Sequence, residues 1–127
     1  DGLDGVTHID FSEPYCETLR QDLLRAADRV GVTVYAGGTY GATQGPRLES
    51  AAEIRRMEVD GCDIVGMTGM PETSLARELA LCYASLAISV NWAAGKNDGP
   101  ITMAEIQNHL DQGIAVALRV LAAAAGA

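Results

Sequence analysis

The order of apolar runs between Asp63 and Val90 constrains this fold more than any other feature of the chain. Asp63 to Met67 is short and apolar, Pro71 opens a stretch whose apolar face runs through Leu75, Leu79 and Cys82, and Leu86 to Val90 is a second short apolar run. A strand, a helix and a strand in that order form a crossover, which makes its two strands parallel. The chain therefore reads as α/β, and such sheets bind ligands beyond the carboxyl ends of their strands. Here those ends are Gly66-Met67-Thr68 and Ser89-Val90-Asn91.

The remaining segments fit the same layered pattern. Ser12 and Pro14 announce a helix with Leu19, Leu23, Ala26, Ala27 and Val30 on one face and Gly31 as its stop. Val32 to Ala36 reads as a strand, and the glycine-rich run from Gly37 to Pro46 as a thin, tightly turned loop. Leu48 to about Val59 has helical spacing at Ala51, Ala52, Ile54 and Met57 and closes at Gly61. Thr102 with Glu105 is a capping box for a last helix carried by Ile106, Leu110, Ile114, Ala117 and Leu121.

Composition excludes several functions. A chain of 127 residues with 48% apolar content predicts one compact domain, burying roughly two thirds of its unfolded surface. Nine basic against seventeen acidic residues give a charge of -8, which repels phosphodiester backbones and excludes nucleic acid as a partner. Leu79 to Gly95 carries no charge, but Tyr83, Ser85, Ser89 and Asn91 interrupt it, so a helix-to-strand change and no membrane span is predicted. Cys16, Cys62 and Cys82 are odd in number and form no CxxC pair; they read as reduced packing residues of a cytoplasmic protein. His8 and His109 are too isolated for a metal site or a Ser-His-Asp set, and His109 reads as a helix-surface histidine. Gly37-Gly-Thr-Tyr-Gly has neither Walker nor dinucleotide spacing. The Asp1-Gly-Leu-Asp-Gly opening is neither a Met start nor a strand or helix opening, and the sequence is expected to be the later part of a longer polypeptide, with a loop before Asp1.

Four polar residues stand near the predicted strand ends. Thr68 follows a strand and precedes a helix, so it is either a turn threonine or, with nearby N–H groups, an anion holder. Asn91 is either a turn former or, because its amide both donates and accepts, a reader of a flat heterocycle's edge. Glu49 falls in the first turn of the helix after Gly45-Pro46-Arg47, where the helix dipole alone favours a carboxylate; its alternative role is to accept a ring N–H. Arg47 reads as a structural partner of Glu72 or Glu49 in preference to an anion ligand.

Four segments then carry a resemblance. Thr43-Gln-Gly-Pro-Arg-Leu-Glu-Ser-Ala-Ala-Glu, Gly61-Cys-Asp-Ile-Val-Gly-Met-Thr-Gly-Met-Pro-Glu, Leu75-Ala-Arg-Glu-Leu-Ala-Leu-Cys-Tyr-Ala and Ser89-Val-Asn resemble, in order and spacing, the second half of the trimeric purine nucleoside phosphorylases and 5'-methylthioadenosine phosphorylases. His8-Ile-Asp-Phe-Ser-Glu-Pro-Tyr-Cys resembles the methylthioadenosine branch. The resemblance implies a three-layer fold with a mixed sheet flanked by helices, of which residues 1–127 form the C-terminal part of a single domain. It also implies cleavage of a purine N-glycosidic bond by inorganic phosphate as co-substrate, without a cofactor. Asn91 then bonds N7 and O6 of the purine as the catalytic residue, Glu49 holds the N1 side, Thr68 contacts phosphate and Met67 packs on the ribose.

Asn91 paired with Glu49 resembles the enzymes of 6-oxopurines, whereas those of 6-aminopurines usually carry Asp at the first position. Met103 and Ile106 are spaced either to continue the core stripe of their helix or to turn an apolar edge toward a thioether. His8 resembles a residue that reaches a neighbouring subunit's sugar pocket in a homotrimer. Together these imply phosphorolysis of S-methyl-5'-thioinosine in purine salvage. Inosine or guanosine phosphorolysis, methylthioadenosine phosphorolysis, and non-catalytic purine-binding or purely structural roles are the alternatives. The family's first half supplies a glycine-rich strand end and an Arg-His phosphate pair that this chain lacks, so catalysis is expected only with an N-terminal segment of the same polypeptide.

Overall fold

The computed structural model describes residues 7–126, and the Asp1-Gly-Leu-Asp-Gly opening lies outside them. Helix α1 (Glu17–Arg29) is followed by strand β1 (Tyr40–Ala42), helix α2 (Ala51–Val59), strand β2 (Ile64–Gly66), helix α3 (Glu72–Glu78) and the long helix α4 (Met103–Ala124). β1 and β2 pair in parallel, with Tyr40 opposite Ile64 and Ala42 opposite Gly66, and α2 is the crossover between them. The α/β reading stands, but the neighbour of β2 is not the one predicted from sequence.

That correction has two sides. Residues 32–36 and 86–90, both predicted strands, join no ladder among the described residues. They keep a strand's period: Val32, Val34, Leu86, Ile88 and Val90 are half-buried while Thr33, Tyr35, Ala87 and Ser89 are exposed. Val32, Val34 and Leu86 lie against the core formed by Ala26, Ala27 and Val120. Conversely, β1 emerges from the run read as a loop, because its glycine permits close approach. A Cβ on buried Gly41 would stand 3.1 Å from Cys62 Sγ, just before β2.

The helix limits also shift where capping groups compete. α1 begins after Cys16 instead of at Pro14, while the Ser12 N–H donates to Asp10 Oδ1 at 3.0 Å. Its end matches the prediction, with Gly31 in the left-handed region at φ 66. α2 starts at Ala51 and not Leu48, since Ser50 takes the N-cap and Glu53 closes the capping box. α3 stops at Glu78, and Ala80 at φ 53 turns the chain, so Leu79 and Cys82 leave the helical face assigned to them. Thr102 caps α4 as predicted, accepting from the Glu105 N–H at 3.3 Å.

α1 and α4 meet at small residues, and each lends the other a cation. Arg119 donates to the Val30 carbonyl at 2.7 Å, and Arg29 donates to the Ala123 carbonyl at 2.6 Å. Each guanidinium satisfies a C-terminal carbonyl that its partner helix leaves open.

The cysteine reading is overturned. Cys16 and Cys82 form a disulfide with Cα atoms 5.2 Å apart, and Cys62 alone is free, half-buried and unpaired among the described residues. The two partners lie 66 positions apart, so no local spacing betrayed them. Beside the bond, Tyr15 stacks on Tyr83 at 6.3 Å and the Cys16 N–H donates to the Tyr83 carbonyl at 2.8 Å.

The expected compactness is not reached either. The accessible surface is 9188 Å², where a closed globule of this mass exposes roughly 6,400 Å². Trp92, Leu79 and Tyr35 are among the large apolar side chains left exposed.

Candidate functional site

The β1–β2 ladder ends at Ala42 and Gly66, and the residues just beyond build the site. The Thr43 N–H donates to the Gly66 carbonyl at 2.9 Å, carrying the pairing one step further. Its hydroxyl donates to Glu49 Oε1 at 2.6 Å, with the Gly66 carbonyl a longer second acceptor at 3.3 Å. Between them the chain turns at Gly45, where an added Cβ would stand 2.7 Å from Met67 Sδ. The turn before α2 and the residue after β2 are thereby pressed together. A polar cavity of about 220 Å³ opens here, lined by Thr43, Gln44, Gly45, Arg47, Glu49 and Glu53.

The charges in this cavity sort themselves by hydrogen bonding. Arg47 gives both terminal nitrogens to Glu53, at 2.9 and 2.8 Å, and Glu53 also accepts from the Ser50 N–H at 2.7 Å and the Ser50 hydroxyl at 2.9 Å. The Arg47 guanidinium first, and the Ser50 donors after it, hold the Glu53 carboxyl far below the ordinary carboxylate range. Glu53 in turn pushes the Arg47 pKa up. Arg47 is thus structural, as read, but its partner is Glu53 and neither Glu72 nor Glu49. Glu49 sits before the Ser50 cap instead of in the helix's first turn, half-buried, with Thr43 as its hydrogen-bond partner.

Thr68 lies two residues past β2 and is exposed. Its N–H donates to Tyr40 Oη at 3.2 Å, and its hydroxyl lies 3.4 Å from the same oxygen. Tyr40, rising from β1, therefore fixes the turn into α3. Met67 and Thr68 thus stand at one end of the strand pair together with Glu49.

The other predicted residues are elsewhere. Asn91 is exposed and its Nδ2 donates to the Trp92 carbonyl at 2.7 Å; among the described residues no hydrogen bond joins it to Glu49 or Thr68. His109, exposed on α4, pairs through Nδ1 with the carbonyl of Val90, the residue before Asn91, at 2.7 Å. Met103 is exposed at the start of α4 and Ile106 is half-buried one turn on; neither lines the polar cavity. His8 is exposed in the segment that Arg77 ties down through the Asp10 carbonyl at 3.1 Å.

A larger, mostly apolar hollow of about 370 Å³ lies between α4 and residues 32–34 and 86–89, with Val34, Ile88, Val116 and Val120 in its wall. None of the residues singled out for chemistry lines it. It lies along the half-buried side of the two extended segments, with Ser89, His109 and Gln112 also in its wall.

Sequence reasoning missed Tyr40 and Thr43 as site residues. Thr43 stood inside a motif singled out for Glu49, and a hydroxyl six residues before a carboxylate across a Gly-Pro turn was the available signal. Tyr40 left none, because its pairing depends on β1 lying beside β2.

The chain matches known proteins along most of its length. Residues 1–125 match the family model described as the phosphorylase superfamily. A probable S-methyl-5'-thioinosine phosphorylase of Pseudomonas syringae pv. tomato is 58% identical over 127 residues, covering 97% of this chain and 52% of that protein. A protein of the same name from Xanthomonas campestris pv. campestris is 60% identical over 107 residues, covering 84% of this chain and 43% of its own. The solved structure of Schistosoma mansoni methylthioadenosine phosphorylase in complex with adenine superposes with a TM-score of 0.91 at 31% identity, over 97% of this chain and 49% of that one. The chain thus spans about half the length of the proteins it matches, and its fold is part of the nucleoside phosphorylase fold.

Proposed function

The chain belongs to the phosphorylase superfamily, and from that membership we propose that, joined to the rest of its fold, it cleaves S-methyl-5'-thioinosine with inorganic phosphate to hypoxanthine and 5-methylthioribose 1-phosphate. The observation that carries the reading is the Glu49 carboxylate, held by Thr43 at a polar cavity beyond the strand ends while Arg47 gives its hydrogen bonds to Glu53. A carboxylate with a free lone pair accepts the N1–H of a 6-oxopurine. It finds no such donor on a 6-aminopurine, whose N1 is itself an acceptor. Leaving that mismatch unpaired costs about 1–3 kcal/mol, or roughly 5- to 150-fold in discrimination.

The reaction needs three further things. A phosphate oxygen attacks C1' as the C1'–N9 bond breaks, and the bonding electron pair passes to the purine. Asn91 bonds N7 and donates to O6, so its hydrogen bonding strengthens as that charge grows. Thr68 contacts the phosphate beside Met67, which packs on the ribose. No cofactor enters this chemistry.

The rest of the polypeptide supplies the remaining phosphate contacts. Two observations support such a partner segment: residues 32–36 and 86–90 have strand-like burial but join no ladder among the described residues, and the surface is far larger than that of a closed globule. Residues 1–127 are then the C-terminal part of one domain. The assembly we favour is a homotrimer in which His8 reaches a neighbour's sugar pocket. We place the reaction in the cytoplasm, where nucleosides and phosphate meet; the cysteines no longer argue for that location. Among the described residues no helix is long and apolar enough to cross a membrane.

Inosine or guanosine phosphorolysis is the second reading, favoured by one observation: Met103, the residue assigned to greet the thioether, is 72% exposed and away from the cavity. Incubating the complete polypeptide with phosphate and, in parallel, methylthioinosine, inosine and methylthioadenosine decides among these. The proposal expects methylthioinosine to give the highest kcat/KM. Preference for inosine transfers the case to the second reading, and equal use of methylthioadenosine refutes the base assignment. Base release without phosphate dependence, or purine binding without release, refutes phosphorolysis.

A further inference from the structure

We infer that Thr43 is a positioning residue that sets the base selectivity of the site by fixing Glu49. Its main chain is held at the end of the ladder by the N–H to the Gly66 carbonyl at 2.9 Å, so its hydroxyl starts from a fixed place. A threonine hydroxyl has one proton to give, and the two acceptors in reach are Glu49 Oε1 at 2.6 Å and the Gly66 carbonyl at 3.3 Å. The shorter, charge-assisted contact takes it. That contact engages Oε1 and leaves Oε2 without a hydrogen-bond partner among the described residues.

Nothing structural requires Glu49 to be held this way. Ser50 caps α2, Glu53 closes the box, and Arg47 is taken up by Glu53. Glu49 neither caps a helix nor joins an ion pair among the described residues. Thr43, its one hydrogen-bond partner among the described residues, aims it, and aiming a carboxylate as an acceptor matters for a ring N–H and not for a ring nitrogen that itself accepts.

This inference rests on Glu49 reading the base, and the test separates the two claims. In the complete polypeptide, Thr43→Val, Thr43→Ser and Glu49→Gln are assayed with methylthioinosine and methylthioadenosine, alongside thermal melts. Thr43→Val should lower kcat/KM for methylthioinosine by roughly 10- to 100-fold, the loss of a hydrogen bond to a charged group, chiefly through KM because the N1 contact is made in ground and transition states alike. Methylthioadenosine should change by less than about 3-fold, and Thr43→Ser should restore methylthioinosine use to within about 3-fold. Equal losses on both nucleosides, a loss in kcat alone, or a serine variant as impaired as valine overturns the inference. If Glu49→Gln impairs methylthioinosine use and Thr43→Val does not, Thr43 is overturned alone. If Glu49→Gln leaves it unchanged, the underlying reading falls with it.

Discussion

Cys16 and Cys82 are covalently joined across 66 positions of sequence, fastening the segment that carries His8 to the chain that leaves α3. The same contact brings Tyr15 onto Tyr83. Closing a loop of that length removes conformational freedom from the unfolded chain.

The disulfide should therefore be detectable and stabilising. Peptide mapping without reductant should recover the Cys16 and Cys82 peptides as one species, with Cys62 alone alkylated. Cys82→Ser should lower stability by about 2–4 kcal/mol in denaturant titrations carried out without reductant. Recovery of both peptides free and alkylated, or an unchanged midpoint, contradicts the pairing.

Glu53 makes a prediction about acid. Its folded-state pKa lies below the ordinary value of 4.5 because Arg47 and Ser50 donate to the ionised form. A depressed carboxylate adds stability above its unfolded pKa and loses it as pH falls toward the folded one. The Tm difference between the native protein and Glu53→Gln should be constant above about pH 6 and shrink below about pH 4.5. Because the group is exposed, the difference should also shrink in high salt. A gap that widens in acid contradicts this arrangement.

Gly66 and Tyr40 give a test of packing. A Cβ on Gly66 would overlap the Tyr40 hydroxyl, the group that holds the Thr68 N–H. Gly66→Ala should destabilise by about 1–3 kcal/mol and weaken phosphate use by moving Thr68. Adding Tyr40→Phe should recover part of the stability, since the clashing atom is gone, without recovering phosphate affinity. Strict additivity of the two substitutions in a double-mutant cycle contradicts the contact.

How much could be read in advance follows from the range of the interactions. α4, the end of α1 and the strand at β2 were legible because Thr102 with Glu105, Gly31 and the run after Asp63 act within a few residues. The crossover read from Asp63 to Val90 is not the one the chain forms, so the rule placed Thr68 and Met67 beyond β2 but set Asn91 at a strand end that joins no ladder among the described residues. β1 was hidden because its glycine is selected by Cys62, a residue twenty-one positions away. Residues 32–36 and 86–90 show strand periodicity in sequence and in burial, yet periodicity says nothing about which edge a strand pairs with, and among the described residues they join no ladder. The Arg47 partner was missed because α2 begins at a serine cap, which rotates Glu53 and not Glu49 toward the guanidinium.

The account comes down to one contact that a crystal structure of the complete polypeptide with hypoxanthine and phosphate would display. We predict N1 of the base within hydrogen-bond distance, about 2.8 Å, of the Glu49 carboxylate oxygen that Thr43 leaves free, with the Asn91 amide turned to N7 and O6. Hypoxanthine bound away from Glu49 and Asn91, at full occupancy, would contradict it.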